Sequence, residues 1–518
     1  MKQNLLRKFI PHVIAVVVFL IIAVLYCQPA IDGQVVNQHD ISSWKGAVQQ
    51  SIEYGKTHDG VYPLWTNSLF SGMPTFQIAF SNNNFIPGIA HKIFTLGLPE
   101  PIQFFFLSCI CFYFLAIVLR VNPYVGIMGA LAYAYATYNP VIIGAGHVTK
   151  MLTMAYLPAL LGSLLLIYEK RYWLGAALTA LFTSLVIAMN HPQIAYYFFI
   201  AVAIMTIFYV INWIRAKEMK HLALAVVFTG AGALIGFLTN SVNVLSTYQY
   251  QKETIRGGGS PLTDTSANAA ENKADNGLTR NYAFSYSLAV PETFVMMVPR
   301  MYGGSADGRV EVIKDEDSKA IEALQKIPDD RLRNDVSRFL ARYWGGIQDL
   351  RGLTYTSGPP YIGAIICFLF IMGCFIVEKK HRWWLITASL FTIMMSWGSY
   401  FSGFNNILFD HFPLYNKFRA PSMALVIPQL LFPIMAILAV NQLIKTEDKK
   451  KIWPAFKNGL IATGAVFVVL FLLYFSLSYQ LKEEKQVLSD VRANNEQIYG
   501  LVKPFFDGMI SDRKSMFM

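Results

Sequence analysis

Residues 148–220 read VTKMLTMAYLPALLGSLLLIYEKRYWLGAALTALFTSLVIAMNHPQIAYYFFIAVAIMTIFYVINWIRAKEMK. Three apolar runs, about 151–168, 172–189 and 193–213, are parted by the polar gaps EKR (169–171), NHP (190–192) and RAKEMK (215–220). Continuous runs of this length predict membrane-spanning helices, because barrel strands would alternate apolar and polar residues. Lys and Arg fill the first and third gaps and are missing from the second. The same alternation holds outward in both directions. Further runs lie at about 10–27, 102–119, 123–143, 222–243, 359–378, 383–398, 422–442 and 457–478, eleven in all. Basic gaps recur at Lys2/Arg7/Lys8, Arg120, Lys170/Arg171, Arg215/Lys217/Lys220, Lys379/Lys380/Arg382 and Lys445/Lys449/Lys450/Lys451. The positive-inside rule places these gaps, and the N-terminus, in the cytoplasm. The expected fold is an all-α polytopic membrane protein of about 11 transmembrane helices with two large external loops, at about 28–101 and 244–358.

Composition agrees. Hydrophobic residues make up 54% of the 518 and charged ones 14%, well below the roughly 25% charged share of soluble domains. The formal charge of +11 comes largely from the cytoplasmic gaps and speaks for topology and contact with anionic membrane lipid. No basic and aromatic pattern of a nucleic-acid module appears, so no nucleic-acid partner is expected. Cys27, Cys109, Cys111, Cys367 and Cys374 all lie in or beside apolar runs, leaving no external disulfide framework and no CxxC metal spacing. The first run has no small-residue cleavage pattern behind it, and bulky Tyr26 before Cys27 does not suit lipid attachment, so it reads as an uncleaved span.

The first external loop holds a polar helix-like stretch, Ile41 to Lys56, then YPLWTNSLFSGMP, whose aromatics suit the membrane interface. The second soon reaches the Gly/Ser/Asn-rich RGGGSPLTDTSANAAENKADNG (256–277). It continues through a charged stretch, 315–343, in which Ile321, Leu324, Ile327, Leu332, Val336, Phe339 and Leu340 recur near helical spacing. Pro328 should break that stretch in two, and together the pieces read as an amphipathic cover on the outer face. Residues 1–480 form the membrane domain. Residues 481–518 form an external tail, and its abrupt SDRKSMFM ending reads as that of one part of a larger protein.

The chemistry-bearing polar residues fall in the outward gaps: His39, Asp40, His147, Lys150, Asn190, His191, Glu292, Asp410, His411 and Arg419. Asp40, about a dozen residues after the first span, can take a proton from an acceptor hydroxyl or bind a divalent cation; helix capping explains it as well. In GAGHVTK, His147 and Lys150 supply hydrogen-bond donors beside a helix start, suited to a phosphate, or else they anchor the interface. Asn190, His191 and Gln193 interrupt an apolar stretch, where Pro192 can open the next helix. Arg419 offers a fork of donors to a phosphate, with Lys417 adding charge, or snorkels to headgroups. Glu292 in VPETF is a second candidate carboxylate or a solvated loop residue. A shared hollow requires Asp40, His147, Lys150, Asn190 and Arg419 to meet at the outer face. No Walker loop, HExxH or GxSxG elbow is present, which argues against an ATP-driven pump and against zinc or serine hydrolases.

HDISSW (39–44), PLWTNSLFSGMPTF (63–76), GAGHVTKMLTMAYLP (144–158), NHPQIAYYF (190–198), YAFSYSLAVPETFVMMVPRMYGGS (282–305), YWGG (343–346) with TSGPPYIGA (356–364), and FRAPSMALVI (418–427) resemble the YfhO-type bacterial membrane proteins, especially their Bacteroidota form. The resemblance runs from the first span to about Pro421. Members of that family are commonly longer, with further spans after a DRK-like segment. YfhO-type proteins are similar in layout to GT-C glycosyltransferases. The resemblance implies a multi-pass protein of the bacterial cytoplasmic (inner) membrane that moves a sugar from a polyprenyl-phosphate donor to a cell-envelope polymer or lipid. It puts Asp40 in the place of the catalytic carboxylate. His39 stands where the metal-binding form of the motif has a second acid, so no metal ligand or cofactor is assigned, and a divalent cation is the one candidate. His39, His147, Lys150, Asn190, His191, Glu292 and Arg419 are assigned to substrate, with Lys150 and Arg419 on the donor phosphate. Two other classes remain: a transporter or flippase for a lipid-linked saccharide, expected to carry polar residues near the bilayer midplane, and a noncatalytic envelope-assembly scaffold, insensitive to changes at Asp40, Lys150 and Arg419.

Overall fold

The structure is a computed structural model that describes residues 2–79, 85–257, 277–305, 315–340, 343–345 and 358–517. Most of the Gly/Ser/Asn-rich tract, 258–276, lies outside the described residues. Helices dominate. Among the described residues the only ladder is a two-residue antiparallel one pairing Trp65 with Pro74 and Thr66 with Met73. Among the described residues six helices are long and apolar enough to cross a membrane: Phe9–Tyr26, Val148–Tyr168, Pro192–Arg215, Met219–Leu238, Pro421–Lys445 and Lys449–Ser476. Four shorter apolar helices, Ile102–Val118, Pro123–Ala134, Tyr172–Ala188 and Ala364–Ile376, accompany them. This is the make-up of an all-α membrane protein, with six full-length spans where the sequence pattern suggests eleven.

The chain divides into two compact units. Residues 1–135, 139–261 and 378–388 form the first, and 136–138, 262–377 and 389–518 the second. The first is built around Val148–Tyr168, buried from Thr153 to Tyr168 and packed against Ile102–Val118 and Tyr172–Ala188. Met219–Leu238 packs on the latter through small residues. A Cβ at Gly232 would stand 2.8 Å from Ala176 O, and one at Gly236 would stand 2.6 Å from Ala180 O, so the GxxxG spacing lets two backbones touch.

The basic gaps end helices in an unexpected way. Arg120, Lys170 and Lys217 each adopt a left-handed conformation, with φ of 57°, 68° and 59°. At Lys170 the backbone N–H donates to Ile167 O (3.0 Å), and Arg171 N–H donates to Leu166 O (2.9 Å). That is the Schellman pattern, with a cation where glycine is usual. The expected third span, 123–143, is not one helix: Pro123–Ala134 stops and Tyr138–Ala145 follows. Buried Asn139 explains the stop, since its Nδ2 donates to Tyr133 O (3.0 Å) and Ala134 O (2.9 Å), carbonyls that a continuing helix would have used.

In the second unit, Ala364–Ile376 lies against Val426–Lys445 and Lys449–Ser476. The charged stretch forms two helices, Lys319–Gln325 and Asp330–Ser337, parted around Pro328. Their apolar face is covered by the tail helix Glu496–Phe517: Ala320, Leu324, Ile327, Val336 and Phe339 share a core with Val502, Phe505, Phe506 and Met509. Asp512 accepts from Ser318 Oγ (2.7 Å) and from the N–H groups of Lys319 and Ala320 (both 3.1 Å), closing the start of the first helix. Arg513 forms a buried bidentate pair with Glu484 (2.8 and 2.7 Å) and also donates to Tyr479 O (2.8 Å).

Candidate functional site

Asp40 lies in the first turn of His39–Thr57, where a carboxylate is favoured by the helix dipole. It is not the cap, because the capping position belongs to Gln38. The Gln38 side chain donates instead to Ile143 O (2.6 Å), which ties this helix start to Tyr138–Ala145. The two segments come close at Gly146, whose φ is +96°. A Cβ there would meet Ile41 N at 3.1 Å and Asp40 Cβ at 3.2 Å. Both the backbone conformation and the close approach therefore require glycine.

The residue after this glycine faces Asp40. His147 Nε2 is 3.0 Å from Asp40 Oδ2, and its Nδ1 is 3.3 Å from Lys150 Nζ. An ammonium has only donors, so Lys150 donating to Nδ1 leaves the proton of a neutral His147 on Nε2, where it donates to Asp40. The three side chains thus form a line from a buried cation (Lys150, 3% exposed) to a carboxylate 54% exposed. Asp40 Oδ1 has no protein partner among the described residues.

His191 adjoins the same line. Burial, then the charge of Lys150, hold its pKa down at about 3, with His147 contributing in the same direction. It is neutral near pH 7. Its side chain accepts from Ile194 N–H at the start of Pro192–Arg215 (3.4 Å at Nδ1), which puts the ring proton on Nε2. Asn190, beside it, is exposed and left-handed (φ 57°), and its N–H donates to Ile187 O, closing the preceding helix. His39 is exposed and makes no hydrogen bond or ion pair among the described residues.

Glu292 and Arg419 belong to the second unit, and no hydrogen bond or ion pair joins them. Glu292 is 1% exposed. Its carboxylate accepts from Ala289 N–H (2.6 Å) and Tyr343 Oη (2.9 Å). Burial raises its pKa to about 7 against the pull of those two bonds. It is a core group rather than a solvated loop residue. Arg419 donates to Tyr282 Oη (2.9 Å) and lies 5.2 Å from that ring's centre. Asp410 pairs with Arg280, and burial lowers the pKa of Lys417. The sequence reading missed the tether from Gln38, whose only signal is its place beside His39 and Asp40.

Among the described residues, no three His, Cys, Asp or Glu side chains gather as metal ligands. The Asp40 cluster is suited to proton transfer beside an anion: one carboxylate oriented by an imidazole, with a buried ammonium and a neutral imidazole behind it. In comparisons with known proteins, no family model, no curated protein and no solved structure matches the chain.

Proposed function

We propose that this chain is a YfhO-type, GT-C-like glycosyltransferase of a bacterial cytoplasmic membrane, moving a sugar from a polyprenyl-phosphate donor to an envelope acceptor at the outer face. One observation carries the reading. Asp40 is held by His147 through one oxygen and keeps the other open, and Lys150 stands 3.3 Å behind that histidine. Such a carboxylate is placed to accept a proton, and an anion beside it finds positive charge.

In the proposed reaction the acceptor hydroxyl oxygen attacks the anomeric carbon, and its proton passes to Asp40 Oδ1. The bond from that carbon to the phosphate oxygen breaks, and the polyprenyl phosphate leaves with the electron pair. His147 fixes Asp40 and does not itself turn over a proton. The Lys150 ammonium and the His191 Nε2–H stabilise the charge gathering on the phosphate, a term that often contributes most to catalysis. Arg419 has no step in this scheme.

The test uses full-length protein in liposomes, a panel of labelled polyprenyl-phosphate sugars and envelope lipids or polymers as acceptors. Wild type should transfer label, and Asp40→Asn should lose about 10²- to 10⁴-fold, the usual worth of general-base catalysis. Transfer by Asp40→Asn at the wild-type rate would remove Asp40 from the mechanism. A wild type that transfers no sugar yet carries lipid-linked saccharide across the bilayer would make the chain a transporter.

A further inference from the structure

Two helices between the first two apolar runs present exposed faces of opposite character. His39–Thr57 shows Ser42, Lys45, Gln49, Glu53 and Lys56 to its surroundings, as a helix in water does. Phe85–Phe94 instead exposes Ile86, Ile89 and Ile93, and Leu96 just beyond its end is exposed as well. Spacings of three and four put the three isoleucines on one face. The opposite side is apolar too: Pro87 is buried, and the Phe94 ring packs on Phe182 (centroids 5.5 Å apart) and on Tyr156 (6.3 Å). A helix apolar on both sides belongs in an apolar medium. Lys92, on a long apolar stem, is of the kind that reaches from such a medium to the headgroups.

The packing partners measure the depth of this helix. Tyr156, whose Oη lies 2.8 Å from His91 Nδ1, stands eight residues inside Val148–Tyr168, about 12 Å from its Val148 end. Phe182 stands six residues from the Ala188 end of Tyr172–Ala188, about 9 Å. The short turn at 169–171 joins the other ends of these two helices, so both depths are taken from the same side. It is the Asp40 side, since Gly146 lies against Asp40 and Ile41. Val148–Tyr168, with its 21 residues, spans about 30 Å, the thickness of a bilayer core. Phe85–Phe94 therefore packs about 10 Å below the hydrocarbon boundary.

Its backbone is closed as that medium demands. The N–H groups of Thr95, Leu96, Gly97 and Leu98 donate to the carbonyls of His91, Ile93, Lys92 and Thr95, at 2.9, 3.2, 3.1 and 3.0 Å. Thr95 Oγ1 adds a bond to His91 O (2.8 Å).

We propose that Phe85–Phe94 is immersed in the bilayer and that its isoleucine face contacts the acyl chains of the leaflet on the Asp40 side. Lipid is the occupant that the depth selects, because at this level acyl chains surround the spans on which the helix packs. Part of the stretch that reads as an external loop is thereby lipid-facing membrane structure. The inference is independent of the transfer chemistry proposed at Asp40.

The experiment places a nitroxide on one added cysteine at a time, Ile89→Cys or Ile93→Cys, with Lys56→Cys on the polar helix as the control. Full-length protein is used in phosphatidylcholine liposomes, and labelled wild type sets the background from its five native cysteines. Power saturation then reads collisions of the label with dissolved oxygen, which gathers in hydrocarbon, and with a water-soluble nickel chelate, which hydrocarbon excludes. Labels at 89 and 93 should collide strongly with oxygen and at least about tenfold less with the chelate than the label at 56 does. Both isoleucines are exposed, so neither substitution opens a cavity in the core. Chelate collisions at 93 equal to those at 56 would put this face in water. Low collision with both probes would mean that protein covers it. Either result would overturn the proposal.

Discussion

Asp40 and Glu292 are both carboxylates in polar segments between apolar runs, and the structure treats them in opposite ways. Asp40 is half exposed, held through one oxygen by His147, with the other open. Glu292 is enclosed, with Ala289 N–H on one oxygen and Tyr343 Oη on the other. A Cβ at Gly345 would overlap its Oε1, so nothing larger than glycine fits there. The open acid keeps one oxygen exposed, whereas the closed one joins Ala289 to Tyr343. A perturbed pKa alone would have chosen Glu292 as the functional group. The proposed reaction rests instead on the open geometry of Asp40.

The largest effect expected from this contrast is on activity. Asp40→Asn should cost about 10²- to 10⁴-fold in sugar transfer, and Glu292→Gln should stay within about threefold of wild type at equal folded concentration. Equal losses in the two variants would break the comparison and make Glu292 part of the reaction. The next effect is on stability. A folded-state pKa of about 7 against 4.5 unfolded means that folded protein binds the extra proton between those values. Stability from Glu292 is thus fully present below pH 4.5 and is lost as pH rises through 7. Its full size is about 3 kcal/mol. Denaturant melts of wild type should weaken over that window, and those of Glu292→Gln should lose this component. His191 has the opposite sign. Its pKa is depressed to about 3 from 6.5, so its contribution is present above pH 6.5 and lost as pH falls toward 3. A slope for Glu292→Gln unchanged from wild type would show that Glu292 is ionised in both states.

What the sequence shows and what it hides divide along the same line. The helix from His39 to Thr57, the break around Pro328 and the pairing of His147 with Lys150 all rest on near neighbours. Residues three apart at a helix start share a face, so GHVTK contains its own geometry. The contact of Asp40 with His147 spans 107 positions and depends on the Gly146 backbone, which no periodicity shows. Burial of Glu292 goes with a bond from Tyr343, 51 positions away. The tail helix fills the apolar face of 319–340, which looked like a cover for the membrane. Asn139 ended a helix within an apolar run because a side-chain amide can replace backbone donors, a choice composition does not reveal. Arg120, Lys170 and Lys217 stopped helices without glycine, so their only visible signal was charge.

A smaller effect sharpens the comparison at Gly146. Alanine there must hold φ near +96° and push against Ile41 N and Asp40 Cβ. The backbone strain alone is about 1–3 kcal/mol. It should appear as lower thermal stability and, because Asp40 moves off His147, as a fall in transfer rate that raised substrate does not restore. A Gly146→Ala protein with wild-type rate and stability would mean that the Asp40 to His147 contact is not fixed by this turn.

His39→Ala should have the smallest effect. His39 stands next to Asp40 in sequence and begins the same helix, yet its imidazole has no bond to keep. Stability should change by no more than about 0.5 kcal/mol, as for other exposed positions. Transfer should stay near the wild-type rate, because His147, from a distant part of the chain, already orients the carboxylate. The pair of variants is informative as a set: His147→Ala removes the imidazole that touches Asp40, and His39→Ala removes one that does not. If both lost activity alike, adjacency along the chain rather than the 3.0 Å contact would govern Asp40, and the proposed line from Lys150 to the acceptor would have to be redrawn through His39.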